Sequence, residues 1–177
     1  MIYKVTITGT ESTGKSTLAE ELALHYKTCS VPDYSRYYID QLNRKYSYAD
    51  VEEIARGIIE QENEYQKNAR SILFSDNDLL NIKIWMEFNK WHIPDWLKEE
   101  ITKRKSDLYI LCDIDLDWVE DSQRKNPMDR VELFYRFLNE LNGIDAEYKI
   151  VSGKNEERLQ MAIRHVNSVI PNNDSKH

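Results

Sequence analysis

The 177-residue chain carries 31 acidic against 24 basic side chains, a formal charge of −7, so its surface as a whole repels polyanions and no nucleic-acid partner is expected. This length supports one sizeable core but not two full catalytic domains, and the reading is a single domain over residues 1–170 with a disordered polar tail at 171–177. Cys29 and Cys112 lie far apart in apolar segments, which offers neither zinc spacing nor a disulfide framework, suits a reducing compartment and reads as two core thiols.

Met1-Ile2-Tyr3-Lys4 leads directly into a short β-prone run around Val5 and Ile7 that stops at Gly9, without the basic stretch and apolar run of a signal peptide. No segment approaches the roughly 20 apolar residues that span a bilayer, so a cytoplasmic protein without membrane contact is expected. Leu18, Leu22 and Tyr26 recur every four residues and predict a helix. A second short strand over Thr28 to Pro32 precedes a polar stretch rich in tyrosine, including Tyr34, Tyr37 and Tyr38. Val51, Ile54, Ala55, Ile58, Ile59, Tyr65, Ala69 and Ile72 then follow a near-helical period and predict a helix of about six turns. Ile72-Leu73-Phe74, ending at Ser75-Asp76, and Leu108-Tyr109-Ile110-Leu111-Cys112, ending at Asp113, are apolar runs too short for helices and predict buried parallel strands. A last strand over Tyr148 to Val151 precedes a helix from about Glu156 to Ile170, marked by Leu159, Ala162, Ile163 and Val166. Alternating strands and helices predict an α/β sandwich of three layers around a mostly parallel five-stranded sheet. Functional residues then gather at the carboxyl ends of the strands, which carry Gly9, Asp33, Asp76, Asp113 and Ser152.

Gly9-Thr10-Glu11-Ser12-Thr13-Gly14-Lys15-Ser16 matches G-x-x-x-x-G-K-[ST] at every fixed position, between a predicted strand and a predicted amphipathic helix. The glycines let the backbone curl around phosphate oxygens, and the N–H groups at the helix start aim a positive dipole at them. Lys15 is expected to bridge the β- and γ-phosphates, and Ser16 to offer its hydroxyl to Mg²⁺. Thr17 is assigned with the loop to nucleotide binding. Asp76, ending an apolar strand, is the expected Walker B carboxylate for Mg²⁺, with a helix N-cap as the plainer alternative.

A GTPase needs Asp-x-x-Gly after that strand and Asn-Lys-x-Asp for guanine, yet Asp76 leads to Leu79 and Asn89-Lys90 leads to His92. A ring-forming ATPase needs a further helical domain for which little chain is left. The remaining candidate is a compact P-loop kinase with an acceptor pocket beyond the second strand and a helical lid bearing arginine. Val31-Pro32-Asp33-Tyr34-Ser35-Arg36 sits where the acceptor pocket is expected, and it is similar to the Val-Pro-acid turn of deoxyribonucleoside kinases. Asp33 is the candidate base for the acceptor hydroxyl, or a helix cap. Arg36 is a candidate contact to acceptor or γ-phosphate, or a surface ion pair. Arg124, and less directly Arg130, are candidate lid arginines over the γ-phosphate, or members of a solvated charged face.

Five pieces in order resemble the nicotinamide riboside kinase domain of NadR-type proteins. They are the Gly9 to Ser16 loop, Asp33-Tyr34-Ser35-Arg36, Asp76-Asn77-Asp78, Asp117-Trp118-Val119-Glu120-Asp121-Ser122-Gln123-Arg124, and the Ser152-Gly153 turn with Arg158. Lys83-Ile84-Trp85-Met86-Glu87 also looks like the family's stretch after Walker B. The resemblance runs from Val5 to about Ile170. It implies ATP- and Mg²⁺-dependent phosphorylation of the 5′-hydroxyl of nicotinamide riboside to the mononucleotide, for NAD synthesis or salvage. It adds Ser152, Gly153 and Arg124 to the ATP site. Asp33, Tyr34, Arg36, Tyr37, Asp78 and Trp85 become the acceptor set, with Tyr34, Tyr37 and Trp85 either stacking a planar base or filling core. The chain departs from the family at Pro32, Asn77 and Ser122. It lacks the His-x-Gly-His signature of the nucleotidylyltransferase domain in bifunctional members, since His25, His92, His165 and His177 are scattered. Another nucleoside or small hydroxyl compound as acceptor, or a slowly hydrolysing NTP-binding regulatory protein, remain the alternatives. A homo-oligomer is compatible with the sequence.

Overall fold

A computed structural model describes residues 1–119 and 129–170. The elements run β1 (Tyr3–Thr8), α1 (Lys15–His25), β2 (Ser30–Val31), α2 (Tyr34–Asp40), α3 (Tyr48–Gln66), β3 (Ile72–Asp76), α4 (Leu79–Phe88), α5 (Asp95–Lys103), β4 (Leu108–Cys112), α6 (Arg130–Gly143), β5 (Tyr148–Val151) and α7 (Glu156–Val169). The five strands form one sheet in the order β2-β3-β1-β4-β5, with every neighbouring pair parallel.

Alternation along each strand divides the core between two faces. Val5, Ile7, Phe74, Ile110 and Cys112 pack with Leu18, Leu22, Ala162 and Val166 of α1 and α7. Tyr109 and Leu111 point the other way and pack with Val51, Ile54, Leu80, Ile84, Leu97 and Phe137 from α3, α4, α5 and α6. Every residue of β3 and β4 is buried, as a strand covered on both faces requires. The result is the expected three-layer α/β sandwich. Among the described residues no helix is long and apolar enough to cross a membrane.

The predicted long helix is shorter than its period suggested. It ends at Gln66, Ala69 lies in the following turn, and Ile72 opens β3 beside Tyr3. A buried helix face and a buried strand are both apolar, so the spacing ran on across the break. The second strand shrinks to Ser30–Val31, because Pro32 has no N–H for a ladder and Asp33 already caps α2. Cys29 is only half-buried, with its thiol donating to the Tyr65 carbonyl (3.6 Å); Cys112 is a core thiol, pushed up to about 11 by burial. No periodic apolar signal marks α2, α4 or α5, although the cap readings of Asp33 and Asp76 allow a helix after each; Asp33 does cap α2, and Asp78 rather than Asp76 caps α4. The proposed lid around Arg124 and Ser122 and the tail at 171–177 lie outside the described residues.

Candidate functional site

Strands β1 and β3 pair so that Ile7 stands beside Asp76, and the chain beyond each strand turns into one cleft. The loop after β1 needs glycine at its start. Gly9 has φ 132°, and a Cβ there would lie 3.0 Å from the Cys112 carbonyl oxygen. Gly9→Ala is therefore expected to cost about 2–3 kcal/mol of stability from backbone strain and steric conflict together; urea unfolding checks this, and an unchanged midpoint would contradict it. Gly14 is left-handed at the N-cap of α1, where no side chain caps the first N–H groups, leaving them available to phosphate oxygens. The Thr10 carbonyl receives both Lys15 Nζ (2.7 Å) and Thr13 Oγ1 (2.8 Å), which folds the lysine back over its own loop.

Two arginines brace this loop from behind. Arg158, 4% exposed, donates Nη1 to the Thr13 carbonyl (2.9 Å) and Nε to the Gly153 carbonyl (2.8 Å), and pairs with Asp115. Arg130 donates to the carbonyls of Ser12 (3.2 Å) and Leu116 (3.0 Å). Ser12 Oγ adds a bond to the Val119 carbonyl (3.1 Å). The segment after β4 is thus tied to the phosphate loop. Ser152 and Gly153 do not line the cleft; the Gly153 N–H donates to Asp115 Oδ2 (2.6 Å), and the turn reaches the loop only through Arg158. Thr17 is exposed on the first turn of α1.

Asp76 is 6% exposed and lines the cleft with Lys15 and Ser16. Burial pushes its carboxyl up to about 6; Lys15 opposes this, Asp33 adds to it, and a Ser16 hydrogen bond and Arg36 pull it back. Its Oδ1 is buried and accepts no hydrogen bond from a described residue. A buried carboxylate oxygen beside a serine hydroxyl is a fitting donor set for a hard divalent cation. No cluster of three or more His, Cys, Asp or Glu stands ready for a metal among the described residues, so such an ion would rely on Asp76, Ser16, water and nucleotide oxygens.

Without nucleotide, Asp76 keeps its proton more readily in the folded than in the unfolded chain. Stability then falls as pH rises from the ordinary value of 3.8 to about 6, and stays at the lower level above. Asp76→Asn removes the buried charge. Without nucleotide or divalent ions, the variant should be more stable than wild type at about pH 7.5 by on the order of 2–3 kcal/mol, and the difference should vanish near pH 4. Equal melting at the higher pH would contradict the assignment.

The cleft, about 780 Å³, continues past Asp33, Arg36 and Asn77 to Trp85, Tyr46 and Trp91. Asp33 caps α2: the N–H and Oγ–H of Ser35 donate to its Oδ1 (2.9 and 2.5 Å). Its Oδ2 instead accepts from Asn77 Nδ2 (3.2 Å). Asp33 is therefore a helix cap by one oxygen and a cleft carboxylate by the other. At the far end Tyr46 meets Trp85 edge to face at 4.8 Å between centroids, and Trp85 Nε1 donates to its hydroxyl (3.3 Å). Arg44 on the same wall is matched by a bidentate pair to Asp50 (2.6 and 2.8 Å), which holds that carboxyl well below its usual range.

Three residues of the sequence-based acceptor set do not line the cleft. Tyr34 packs on α3, where its ring fills the space above Gly57 that a Cβ would occupy. Tyr37 is 63% exposed. Asp78 is buried on the other side of its turn, capping α4 through the Leu80 N–H (2.9 Å) and accepting from the Tyr109 hydroxyl (2.9 Å); burial raises its pKa. Asn77 between them has φ 67°, and that left-handed residue sends its two aspartate neighbours to different surroundings. Sequence reasoning missed Tyr46 and Trp91 in the cleft and the bracing role of Arg158 with Asp115. No local pattern marks the first two, because only the packing of the α2–α3 loop against α4 brings them together.

The sheet order and the glycine loop between β1 and α1 give the chain the P-loop kinase fold. Within that class the chain belongs to the family whose model is described as AAA domain, which matches residues 4–158. It is 30% identical over 148 residues, 79% of its length, to the "Trifunctional NAD biosynthesis/regulator protein NadR" of Escherichia coli (strain K12). It is 30% identical over 129 residues to the protein of the same name from Salmonella typhimurium. The chain spans about a third of these relatives, 35% and 31%. Among solved structures it superposes on a NadR protein in complex with NR with a TM-score of 0.78 at 19% identity, covering 95% of this chain and 51% of that one. A thymidylate kinase from Ehrlichia chaffeensis gives 0.62 at 12% identity, covering 94% and 97%.

Proposed function

We propose that this protein is an ATP- and Mg²⁺-dependent kinase that phosphorylates the 5′-hydroxyl of a nucleoside, with nicotinamide riboside as the acceptor to test first and the cytoplasm as its place of action. The observation that carries the reading is one continuous cleft with Lys15, Ser16 and Asp76 at one end, Asp33 in the middle, and Tyr46, Trp85 and Trp91 at the other. Phosphate chemistry, a carboxylate and a stacking surface thus follow one another as the parts of a nucleoside and a triphosphate would. The 30% identity to NadR proteins, named for NAD biosynthesis, supports the same acceptor. The aromatic faces suit a flat, cationic pyridinium ring.

In this reading the acceptor oxygen forms a bond to the γ-phosphorus as the bond from that phosphorus to the β–γ bridging oxygen breaks. The acceptor proton passes to Asp33 Oδ2, and ADP leaves. Lys15 neutralises charge on the β- and γ-phosphates, and Arg124 is assigned the same task from the lid. Bound Mg²⁺, held by Ser16 and Asp76, would neutralise phosphate charge. Asp33 serves chiefly by holding the hydroxyl in line, since positioning dominates this reaction.

A panel of nicotinamide riboside, adenosine, uridine and deoxynucleosides, scored by ADP release, tests the reading. Release above the water background with nicotinamide riboside supports it. Stimulation by a different nucleoside moves the acceptor assignment, and turnover at background with all of them favours a regulatory NTP-binding role.

A further inference from the structure

Asn77 combines features that neither capping nor packing explains. It is 8% exposed, lines the cleft and holds φ 67°, a conformation that asparagine tolerates better than most residues. Its backbone N–H is satisfied by the Ile7 carbonyl (2.9 Å). Its side-chain Nδ2 donates to Asp33 Oδ2 (3.2 Å), the oxygen that Asp33 does not use for capping. Because a carboxylate only accepts, the amide must present its N–H₂ end to Asp33, and this leaves Oδ1 as the free end of the group. That oxygen is buried and accepts no hydrogen bond from a described residue. Native interiors rarely leave such an acceptor without a donor.

We propose that Asn77 is a positioning and specificity residue for the acceptor. Its amide fixes Asp33, and its Oδ1 receives a hydrogen bond from a second hydroxyl of a polyhydroxylated acceptor, the 3′-hydroxyl in a ribofuranoside. The inference rests on the kinase reading above and narrows its substrate class to nucleosides that keep this hydroxyl, ribosides and 2′-deoxyribosides alike. The chemistry follows from adjacency: the reacting hydroxyl gives its proton toward Asp33, and a second O–H of the same molecule is the donor that an acceptor seated on Asp33 brings to Oδ1. On a ribose ring the 3′-hydroxyl is the ring hydroxyl nearest the 5′ position. The other residue of this turn expected to bind acceptor, Asp78, is already occupied by Leu80 and Tyr109.

The test compares nicotinamide riboside or adenosine with its 3′-deoxy analogue, in wild type, Asn77→Gly and Asn77→Asp. Glycine accepts a positive φ, so Asn77→Gly deletes the amide without straining the turn. Wild type should favour the riboside by about 10-fold in kcat/KM, the scale of one hydrogen bond. In Asn77→Gly the riboside kcat/KM should fall by about 10²-fold, the preference should shrink to near unity, and the Kd for ATP should hold. Asn77→Asp keeps an oxygen toward the second hydroxyl but sets a carboxylate against Asp33, so kcat should fall while the preference persists. Wild-type kcat/KM in Asn77→Gly would overturn the proposal, as would an equal fold-loss on both acceptors, which would put the effect in the turn or the phosphate end. If wild type itself transfers phosphate to no nucleoside of the panel, the kinase reading fails instead, and this inference falls with it.

Discussion

Lys15→Ala should lower phosphoryl transfer by about 10²- to 10³-fold or more, the range for removing one preorganised group aimed at developing charge, and leave the melting temperature near wild type. Both halves follow from its contacts. Among the described residues Lys15 Nζ donates only to the Thr10 carbonyl within its own loop (2.7 Å), and it lines the cleft rather than the core. The Thr10 carbonyl keeps Thr13 Oγ1 as a second donor (2.8 Å), so the loop retains a tie when the lysine is gone. Arg158 and Arg130 hold the loop from behind whether or not the lysine is present. Turnover under saturating ATP, read beside a thermal melt, checks the pair. Near-native turnover would contradict the role of Lys15, whereas a collapsed melt would mean that Lys15 is structural.

Asp33→Asn should lower transfer by about 10²-fold or more, the scale of general base catalysis, while ATP binding survives. Asparagine is as good an N-cap as aspartate, so the bonds from Ser35 to Oδ1 can persist and α2 should stay in place. The change falls on the other oxygen. There the amide N–H₂ of asparagine would face the Asn77 Nδ2 donor, so the carboxylate that both holds Asn77 and accepts the acceptor proton is lost. Asp33→Ala separates the functions: it should cost about 1 kcal/mol of stability from the lost cap, in addition to the lost transfer. If Asp33→Asn retains wild-type transfer, Asp33 is a cap alone and the base must be sought elsewhere, since Asp78 is engaged by Leu80 and Tyr109 and Glu87 pairs with Lys83 (2.9 Å) outside the cleft lining.

The loop between β1 and α1 was legible because its parts are contiguous. A loop that must curl around oxygens announces itself as glycine at two fixed places, and strands β3 and β4 announce themselves as short apolar runs because both their faces are covered. Away from that loop, of the residues the sequence assigns to an acceptor only Asp33, Arg36 and Trp85 line the cleft. Its aromatic wall joins Tyr46, from the loop before α3, to Trp85 on α4 and Trp91 beyond it. Nothing in spacing links those positions. Tyr34 and Tyr37 lie nearer to Asp33 in the chain, but three residues apart they share one face of α2, with rings 5.9 Å apart, and that face meets α3 at Gly57 and runs out to solvent at Tyr37. Asp78 misled for a related reason. Strand alternation puts residues two apart on one side, and the left-handed φ of Asn77 ends that alternation just after Asp76. Asp33 carried two readings, base and cap, and its two oxygens have room for both.

The central claim is that this chain moves a phosphoryl group onto a nucleoside hydroxyl. ATP labelled in its γ-phosphate, incubated with the protein, Mg²⁺ and nicotinamide riboside, tests it most directly. The label should appear in the 5′-mononucleotide, in step with ADP, and Lys15→Ala should lower it by about 10²- to 10³-fold or more. Label found only in inorganic phosphate, at the same rate with and without any nucleoside of the panel, would contradict it.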